Sequence, residues 1–465
     1  MVPDVRLAHR LLVRFLSLVT AVFFRTREVA GRERVPAAGP VIFAGNHPNS
    51  LLDPVLILTT CGRPVAFAAK DVLFKSPFLR PLLRVLGAVP IRRRKDHPDA
   101  TAAGGGAIDN QAAFEAMFQV LERGGACGIF PEGISHDGSE LAPLRTGLAR
   151  IALGAAARRP PGSAPVRIVP CGLSYFSPTR MRSRVLVEYG APLEVDASWL
   201  ERFAGDERAT VQALTEAVQA ALRGATINAP DYQTLRVLSG VRQLYVPSDL
   251  ELPLAAQAEL SRRFLDRYQE LREEPEVAAL YREVGAYLTQ VDSLGFSDPL
   301  LRAPLTPLGW ARLLGRHLLL IFVLLPLAIP GLLLHAPLLM AAVVFGDGLT
   351  RKRNVRATTK VVTLALGVVL VYAAVLGGVA WLTPREDRVP LTLCAAALLP
   401  TCGWATIRVL ERQSALRHAF VTLCMLVVLR REVARLRQVR DGLRARIQAA
   451  VERHAGGLPR IVPPA

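Results

Sequence analysis

"GPVIFAGNHPNSLLDPVLIL", residues 39–58, decides the fold class: an apolar run, a polar turn, then a second apolar run that opens on Asp-Pro. The first run is short and β-branched at Val41 and Ile42, which suits a buried strand. The second opens with Asp53 as N-cap and Pro54 at the first helical position, a well-formed helix start. Strand, loop and helix in succession form the repeating unit of α/β folds, whose strand ends commonly carry binding and catalytic groups. His47 stands at such a place, and a histidine near a carboxylate is a general-base arrangement. Asn46 and Asn49 suit a plain polar turn equally well, so this stretch alone leaves both readings open.

Working outward, "RPVAFAAK" (63–70), "ACGIFPEG" (126–133), "VRIVPCGLSY" (166–175) and "RSRVLVEYGAPL" (182–193) also read as strands. "NQAAFEAMFQVLERG" reads as a helix ending at Gly124, and "LRTGLARIALGAAARR" (144–159) as one with a basic last turn. The expected fold is α/β, a central mixed sheet flanked by helices over residues 31–205. Residues 1–30 are expected to form an N-terminal interfacial helix, amphipathic over 6–24 with Arg10 and Arg14 among apolar residues, with a core helix as the alternative. Residues 206–305 are polar, Leu- and Arg-rich and helical in pattern, a helical extension.

The chain is 51% hydrophobic, yet carries 57 Lys+Arg against 39 Asp+Glu, a net charge of +18. Apolar and basic together point to a bilayer with anionic lipid. Nucleic acid is not expected as a partner, since the arginines flank apolar segments and neither zinc-finger spacing nor a stacking aromatic series is present. The six cysteines are scattered without a Cys-x-x-Cys pair, which favours reduced thiols over disulfides or a zinc site.

Residues 306–412 read as a membrane region. "VVTLALGVVLVYAAVLGGVAWL" (361–382) is uncharged and, at 1.5 Å per residue, about 33 Å long, enough for a hydrocarbon core of roughly 30 Å. With 389–407 it makes a transmembrane hairpin, 361–407. The stretch 318–346 is interrupted by Pro326, Pro330, Gly331 and Pro337 and predicts a re-entrant or broken helix. Basic residues flank it on both sides and fill the tail 413–465, which puts residues 31–205 on the cytoplasmic side; the expected location is a bacterial cytoplasmic membrane.

Three more segments bear on His47. "LGAVPIRRRKD" (86–96) sets Arg92, Arg93 and Arg94 after a short apolar run, where guanidinium groups could grip a phosphate. "FPEG" (130–133) ends a strand with a carboxylate on a sharp turn, and Arg145 stands at a helix start. In this order the segments resemble the glycerophosphate and lysophosphatidate acyltransferase family, in an extended membrane-bound subgroup similar to fungal and bacterial glycerol-3-phosphate acyltransferases. Asn46, His47 and Asp53 match the family's first block, Gly87 and Arg93 its second, Phe130 to Gly133 its third, and Val169 with Pro170 its fourth. One departure stands out: five residues, Pro48 to Leu52, separate His47 from Asp53, one more than the commonest pattern.

The resemblance implies transfer of a fatty acyl group from acyl-CoA or acyl carrier protein to glycerol-3-phosphate or 1-acylglycerol-3-phosphate in phospholipid biosynthesis. His47 is then the base that takes the acceptor's proton, and Asp53 holds the imidazole. Arg93 binds the acceptor phosphate, helped by Arg92, Arg94 and Arg145, and Glu132 bonds an acceptor hydroxyl or orients Arg93. Asn46, Gly87, Pro131 and Gly133 complete the substrate-binding set, with backbone N–H groups near Asn46 or Gly133 for the oxyanion. The partners implied are the phospholipid bilayer, the thioester donor and the phosphorylated glycerol acceptor. Thioester chemistry needs no cofactor or metal, and His97-Pro98-Asp99 and His136-Asp137 lie in turns without metal-ligand spacing. Two rivals are a serine lipase or esterase using Ser50, which lacks a Gly-x-Ser-x-Gly elbow, and a non-catalytic lipid-binding membrane protein.

Overall fold

The computed structural model describes residues 3–77, 79–92, 110–160, 162–247, 250–295, 301 and 307–454. The chain divides into two compact units, the first made of Met1–Tyr232, Pro253–Arg262 and Lys352–Thr358, the second of the remainder.

The first unit is built on eight strands: β1 (Phe24–Ala30), β2 (Val41–Gly45), β3 (Ala66–Lys70), β4 (Val89–Ile91), β5 (Ala126–Ile129), β6 (Val166–Tyr175), β7 (Ser183–Tyr189) and β8 (Leu193–Val195). They form one sheet in the order β1-β7-β6-β2-β5-β3-β4, with β8 added on β6. Pairing is parallel except where β6 meets β7 and β8, so the sheet is mixed. β2 lies at its centre and all five of its residues are buried, as a strand covered on both faces requires. Ile42 and Ala44 pack on one face against Met117, Leu148, Ile151 and Val218. Phe43 meets Tyr189, whose hydroxyl lies 2.7 Å from Thr60 Oγ1.

Parallel pairing sets the site. β2 lies between β5 and β6 and runs parallel to both, so all three release the chain at the same edge. Ala44 pairs with Ile129, which puts His47 and Glu132 each three residues past a paired position.

Two local expectations are corrected. The helix after the polar turn runs Leu52–Thr60 with Leu51 at its N-cap and no side-chain cap, so Asp53 sits inside the first turn with its carboxylate turned elsewhere. Phe24–Ala30 is a strand rather than the end of the preceding helix, which is Pro3–Phe23. That helix exposes Leu7, Leu11, Phe15, Leu18 and Val22 along one face and buries His9, Thr20 and Phe23 on the other.

The second unit is helical. Among the described residues three helices are long and apolar enough to cross a membrane, Leu314–Leu349, Arg353–Leu382, whose first residues belong to the first unit, and Arg388–Gln413. The stretch expected to be broken or re-entrant is a continuous α-helix, Pro307–Val343, despite Pro326, Pro330 and Pro337. Proline removes one helical hydrogen bond, but such losses are tolerated in apolar spans because neighbouring groups take up the freed carbonyls. This helix packs on the one that follows the 383–387 turn: a β-carbon on Gly331 would lie 2.2 Å from Cys402 O. Small residues permit such close backbone approach between apolar helices. Thr406 Oγ1 donates to Ala328 O at 3.3 Å across the same contact.

Candidate active site

His47 follows β2 by two residues, and its ring nitrogen Nδ1 lies 2.8 Å from Asp53 Oδ2. Asp53 is fully buried. Its Oδ2 also accepts the Asn49 N–H at 2.7 Å, and its Oδ1 accepts the Tyr175 hydroxyl at 2.6 Å. Burial pushes the Asp53 carboxyl above its ordinary range, while the His47 ring, Tyr175 and the Asn49 N–H pull it back part of the way. Burial, with the Asp53 charge beside it, pushes the Tyr175 phenol well up, so Tyr175 remains a donor. A carboxylate at Nδ1 favours the tautomer that carries its hydrogen there. Nε2 then bears a lone pair, and no residue among those described takes it up.

Phe130 stacks on the imidazole, with ring centroids 4.2 Å apart and planes 12° from parallel. Phe67 stacks behind Phe130 at 5.8 Å, so the ring orientation is set by packing as well as by Asp53.

Glu132 is 3% exposed, and its carboxylate is engaged within the protein. Oε1 accepts the His47 N–H at 2.8 Å, and Oε2 accepts the Ala142 N–H at 2.9 Å and faces His136 Nε2 at 2.5 Å. His136 N–H in turn donates to His47 O at 3.1 Å. Both sides of the His47 peptide backbone are thus tied to the Phe130–His136 turn. The sequence assigned Glu132 to an acceptor hydroxyl or to Arg93, which lies outside the described residues; its three contacts here hold the loop that carries His47. His136, set aside in the sequence as no metal ligand, completes that hold.

Asn46 also points inward. Its amide donates to Leu173 O at 3.1 Å and accepts from Leu173 N–H at 2.7 Å, fastening β2 to β6. Gly133 has φ 68°, a region glycine enters without cost, and Arg145 fills the place where a β-carbon would point, with Nε 2.7 Å away. The Gly133 N–H donates to Phe130 O and the Arg145 N–H to buried Pro131 O, at 3.0 and 2.8 Å. The Gly133 N–H itself is thus engaged within the turn. Gly87 closes the turn before β4 with φ 68°. Arg92 is exposed and its backbone is held by Asn110. Arg93, Arg94, His97 and Asp99 lie outside the described residues.

A cleft opens beside His47, lined further by Pro48, His136, Leu141, Ile227 and Asn228. The last two come from beyond the eight strands, on a segment that no sequence motif marked. Tyr175 was missed too: it sits 122 positions from Asp53 at the end of a strand, and only the pairing of β6 with β2 brings it there. Ser50 Oγ makes no hydrogen bond to the His47 ring among the described residues, and the backbone N–H of Ser50 donates to Ser135 Oγ. A Ser-His-Asp triad is not formed.

Residues 26–174 match the acyltransferase family model, and residues 237–456 match the glycerol-3-phosphate acyltransferase 2 C-terminal domain. The chain is 36% identical over 279 residues to glycerol-3-phosphate O-acyltransferase 2 of Saccharomyces cerevisiae, covering 58% of this chain and 37% of that protein. It is 26% identical over 413 residues to an uncharacterized acyltransferase of Schizosaccharomyces pombe, covering 70% of this chain and 60% of the relative. A third relative is 1-acyl-sn-glycerol-3-phosphate acyltransferase of Borreliella burgdorferi, 31% identical over 126 residues, 27% of this chain and 45% of that one. The chain therefore spans between 37% and 60% of the length of these relatives. The two long matches are fungal and point to a eukaryotic membrane, so the bacterial cytoplasmic membrane expected from the sequence finds no support in them. By these matches the chain is similar to glycerol-3-phosphate and 1-acyl-sn-glycerol-3-phosphate acyltransferases, with a segment that matches the acyltransferase family model followed by one that matches the glycerol-3-phosphate acyltransferase 2 C-terminal domain.

Proposed function

We propose that the chain moves a fatty acyl group from a thioester, acyl-CoA or acyl carrier protein, to a hydroxyl of glycerol-3-phosphate or 1-acylglycerol-3-phosphate. The observation that carries this is the His47–Asp53 pair at the cleft, with Nδ1 held by a buried carboxylate and Nε2 unpartnered among the described residues. A hydroxyl is a weak nucleophile near neutral pH. Nε2 takes its proton as the oxygen attacks the thioester carbonyl carbon. Asp53 then faces an imidazolium and stabilises it. As the tetrahedral intermediate collapses, the C–S bond breaks and the Nε2 proton passes to the departing sulfur, leaving ester, thiol and the neutral imidazole. Arg93 and Arg145 are the cations assigned to the acceptor phosphate, and no cofactor enters the step.

Membrane side follows from charge. Lys352, Arg353 and Arg356 belong to the first unit and stand at the base of an apolar helix, where positive residues favour the cytoplasmic side. We therefore place the acyltransferase unit in the cytoplasm.

The test uses the full chain in lipid nanodiscs with labelled acyl-CoA or acyl carrier protein, offered glycerol-3-phosphate and lysophosphatidate in turn. His47→Ala abolishes transfer and Ser50→Ala largely spares it. An active His47→Ala variant beside a dead Ser50→Ala variant sinks the mechanism in favour of a serine hydrolase.

A further inference from the structure

Between His47 and Asp53 the chain turns through five residues, Pro48 to Leu52. Ser50 among them has φ 52°, the left-handed region that a β-carbon disfavours. Such a conformation persists only where the surroundings over-determine it. Three ties fall on two successive residues here. Asn49 N–H donates to Asp53 Oδ2 at 2.7 Å, Thr358 Oγ1 donates to Asn49 O at 3.2 Å, and Ser50 N–H donates to Ser135 Oγ at 3.2 Å. Ser135 is itself gripped by Asn354, whose Nδ2 donates to the Ser135 carbonyl at 2.7 Å and to its Oγ at 2.8 Å.

The donors Asn354 and Thr358 are separated by four positions, so they share one face at the start of the helix Arg353–Leu382. Asn354 is 219 positions from Ser135, yet residues 352–358 belong to the same compact unit as the strands. One helical turn therefore reaches both loops of the site: Thr358 the loop that joins His47 to Asp53, Asn354 the turn that carries Glu132 and His136. Arg353, 3.8 Å from Asp137 at an exposed position, adds little to this hold.

We infer that Asn354 and Thr358 are positioning residues for His47 and Asp53, bracing a turn that does not hold its shape by local preference. For its kinetic readout the inference rests on the acyl transfer proposed above; for its geometric readout it does not. Asn354→Asp keeps the size of the side chain and turns an acceptor toward two Ser135 oxygens. Thr358→Val keeps the shape and removes the hydroxyl, while Thr358→Ser keeps the hydroxyl.

The full chain in nanodiscs is assayed for kcat and KM and, with 15N-histidine labelling, for the Nδ1–H signal that Asp53 holds, assigned by its loss in His47→Gln. Asn354→Asp and Thr358→Val each lower kcat by about 10- to 100-fold, the range of a misplaced catalytic group, with the thioester KM within about twofold. The Nδ1–H signal is lost or shifted in both. Thr358→Ser stays at wild type in both measurements. Adding Ser135→Ala to Asn354→Asp costs less than the product of the two separate losses, because both act through the Ser135 hydroxyl, while the Ser50 tie is lost only with Ser135→Ala. Wild-type kinetics in Asn354→Asp and Thr358→Val overturn the inference, as does a fall in kcat with the Nδ1–H signal intact. If Asn354→Asp does not fold, the Thr358 pair decides alone. A wild-type chain that acylates no acceptor refutes the proposed function, and the Nδ1–H signal still decides the brace.

Discussion

Asp53→Asn separates the two things Asp53 does. Its Oδ2 accepts two N–H groups, from Asn49 and from the His47 ring, and its Oδ1 accepts the Tyr175 hydroxyl. An asparagine amide has one oxygen, and that oxygen belongs at the Oδ2 position, because the opposite flip sets an NH2 against the Asn49 N–H. The NH2 then points at the Tyr175 oxygen, which can accept as well as donate. Both hydrogen bonds at the Oδ2 position survive, and so does the His47 tautomer; the Tyr175 contact reverses, with the amide NH2 donating to the phenol oxygen. What is lost is the negative charge facing the imidazolium. Two unit charges at 4 Å and an effective dielectric of 20 interact by about 4 kcal/mol, so kcat falls by about a thousandfold. A flipped amide would impose the wrong tautomer and cost about 10⁴-fold.

Stability moves the other way. The folded-state carboxyl of Asp53 is raised, so its contribution to stability is fully present below the unfolded value and is lost as pH rises through the folded one. The neutral amide bears no such loss. Thermal unfolding of Asp53→Asn should therefore match or exceed wild type, by more at alkaline pH than in acid below the ordinary carboxylate range. A variant that keeps more than about a tenth of wild-type kcat refutes the charge argument, and one whose Tm falls at both pH values refutes the packing argument.

Three further outcomes are expected. Tyr175→Phe removes a donor to a charged acceptor, a loss of about 1.5–3 kcal/mol in stability, and lets Asp53 hold its proton to higher pH; the acid side of the kcat profile should fail first. Gly331→Val drives a side chain into the Cys402 carbonyl and should lower Tm by an overpacking cost of about 1–3 kcal/mol, while Gly377→Ala, with nothing near it, serves as the silent control. Arg93→Ala should raise the KM of the phosphorylated acceptor at least about tenfold and leave the thioester KM alone; equal shifts in both would remove Arg93 from the acceptor site.

The strand, loop and helix around His47 were legible because each obeys local preference: β-branched residues before the turn, Asp-Pro after it. His47 and Asp53 could be named from spacing because both lie on one continuous stretch. The N-cap reading of Asp53 erred for a related reason. Asp at a helix start ordinarily caps it, and only the fold reveals that the carboxylate is claimed by His47, Asn49 and Tyr175 instead. Tyr175, Asn354 and Thr358 carried no local signal at all, since their partners lie across the sheet or hundreds of positions away. β1 escaped because an edge strand paired on one side carries Arg25, Arg27 and Glu28 and shows little apolar alternation. The prolines of Pro307–Val343 misled because their usual meaning is learned in water, where a freed carbonyl has other partners.

The first compact unit is not finished when its last strand is made. Its sequence closes with Lys352–Thr358, which leaves the ribosome only after the apolar helix Leu314–Leu349 has been synthesised. Since chains are completed from the amino terminus, His47 is made long before Asn354 and Thr358, whose side chains reach the loops around it. A nascent or truncated chain ending before residue 352 would hold His47 and Asp53 on an unbraced turn, idle toward soluble thioesters. The last ties to the loop of His47 are in this way added only after the first long apolar helix has been made.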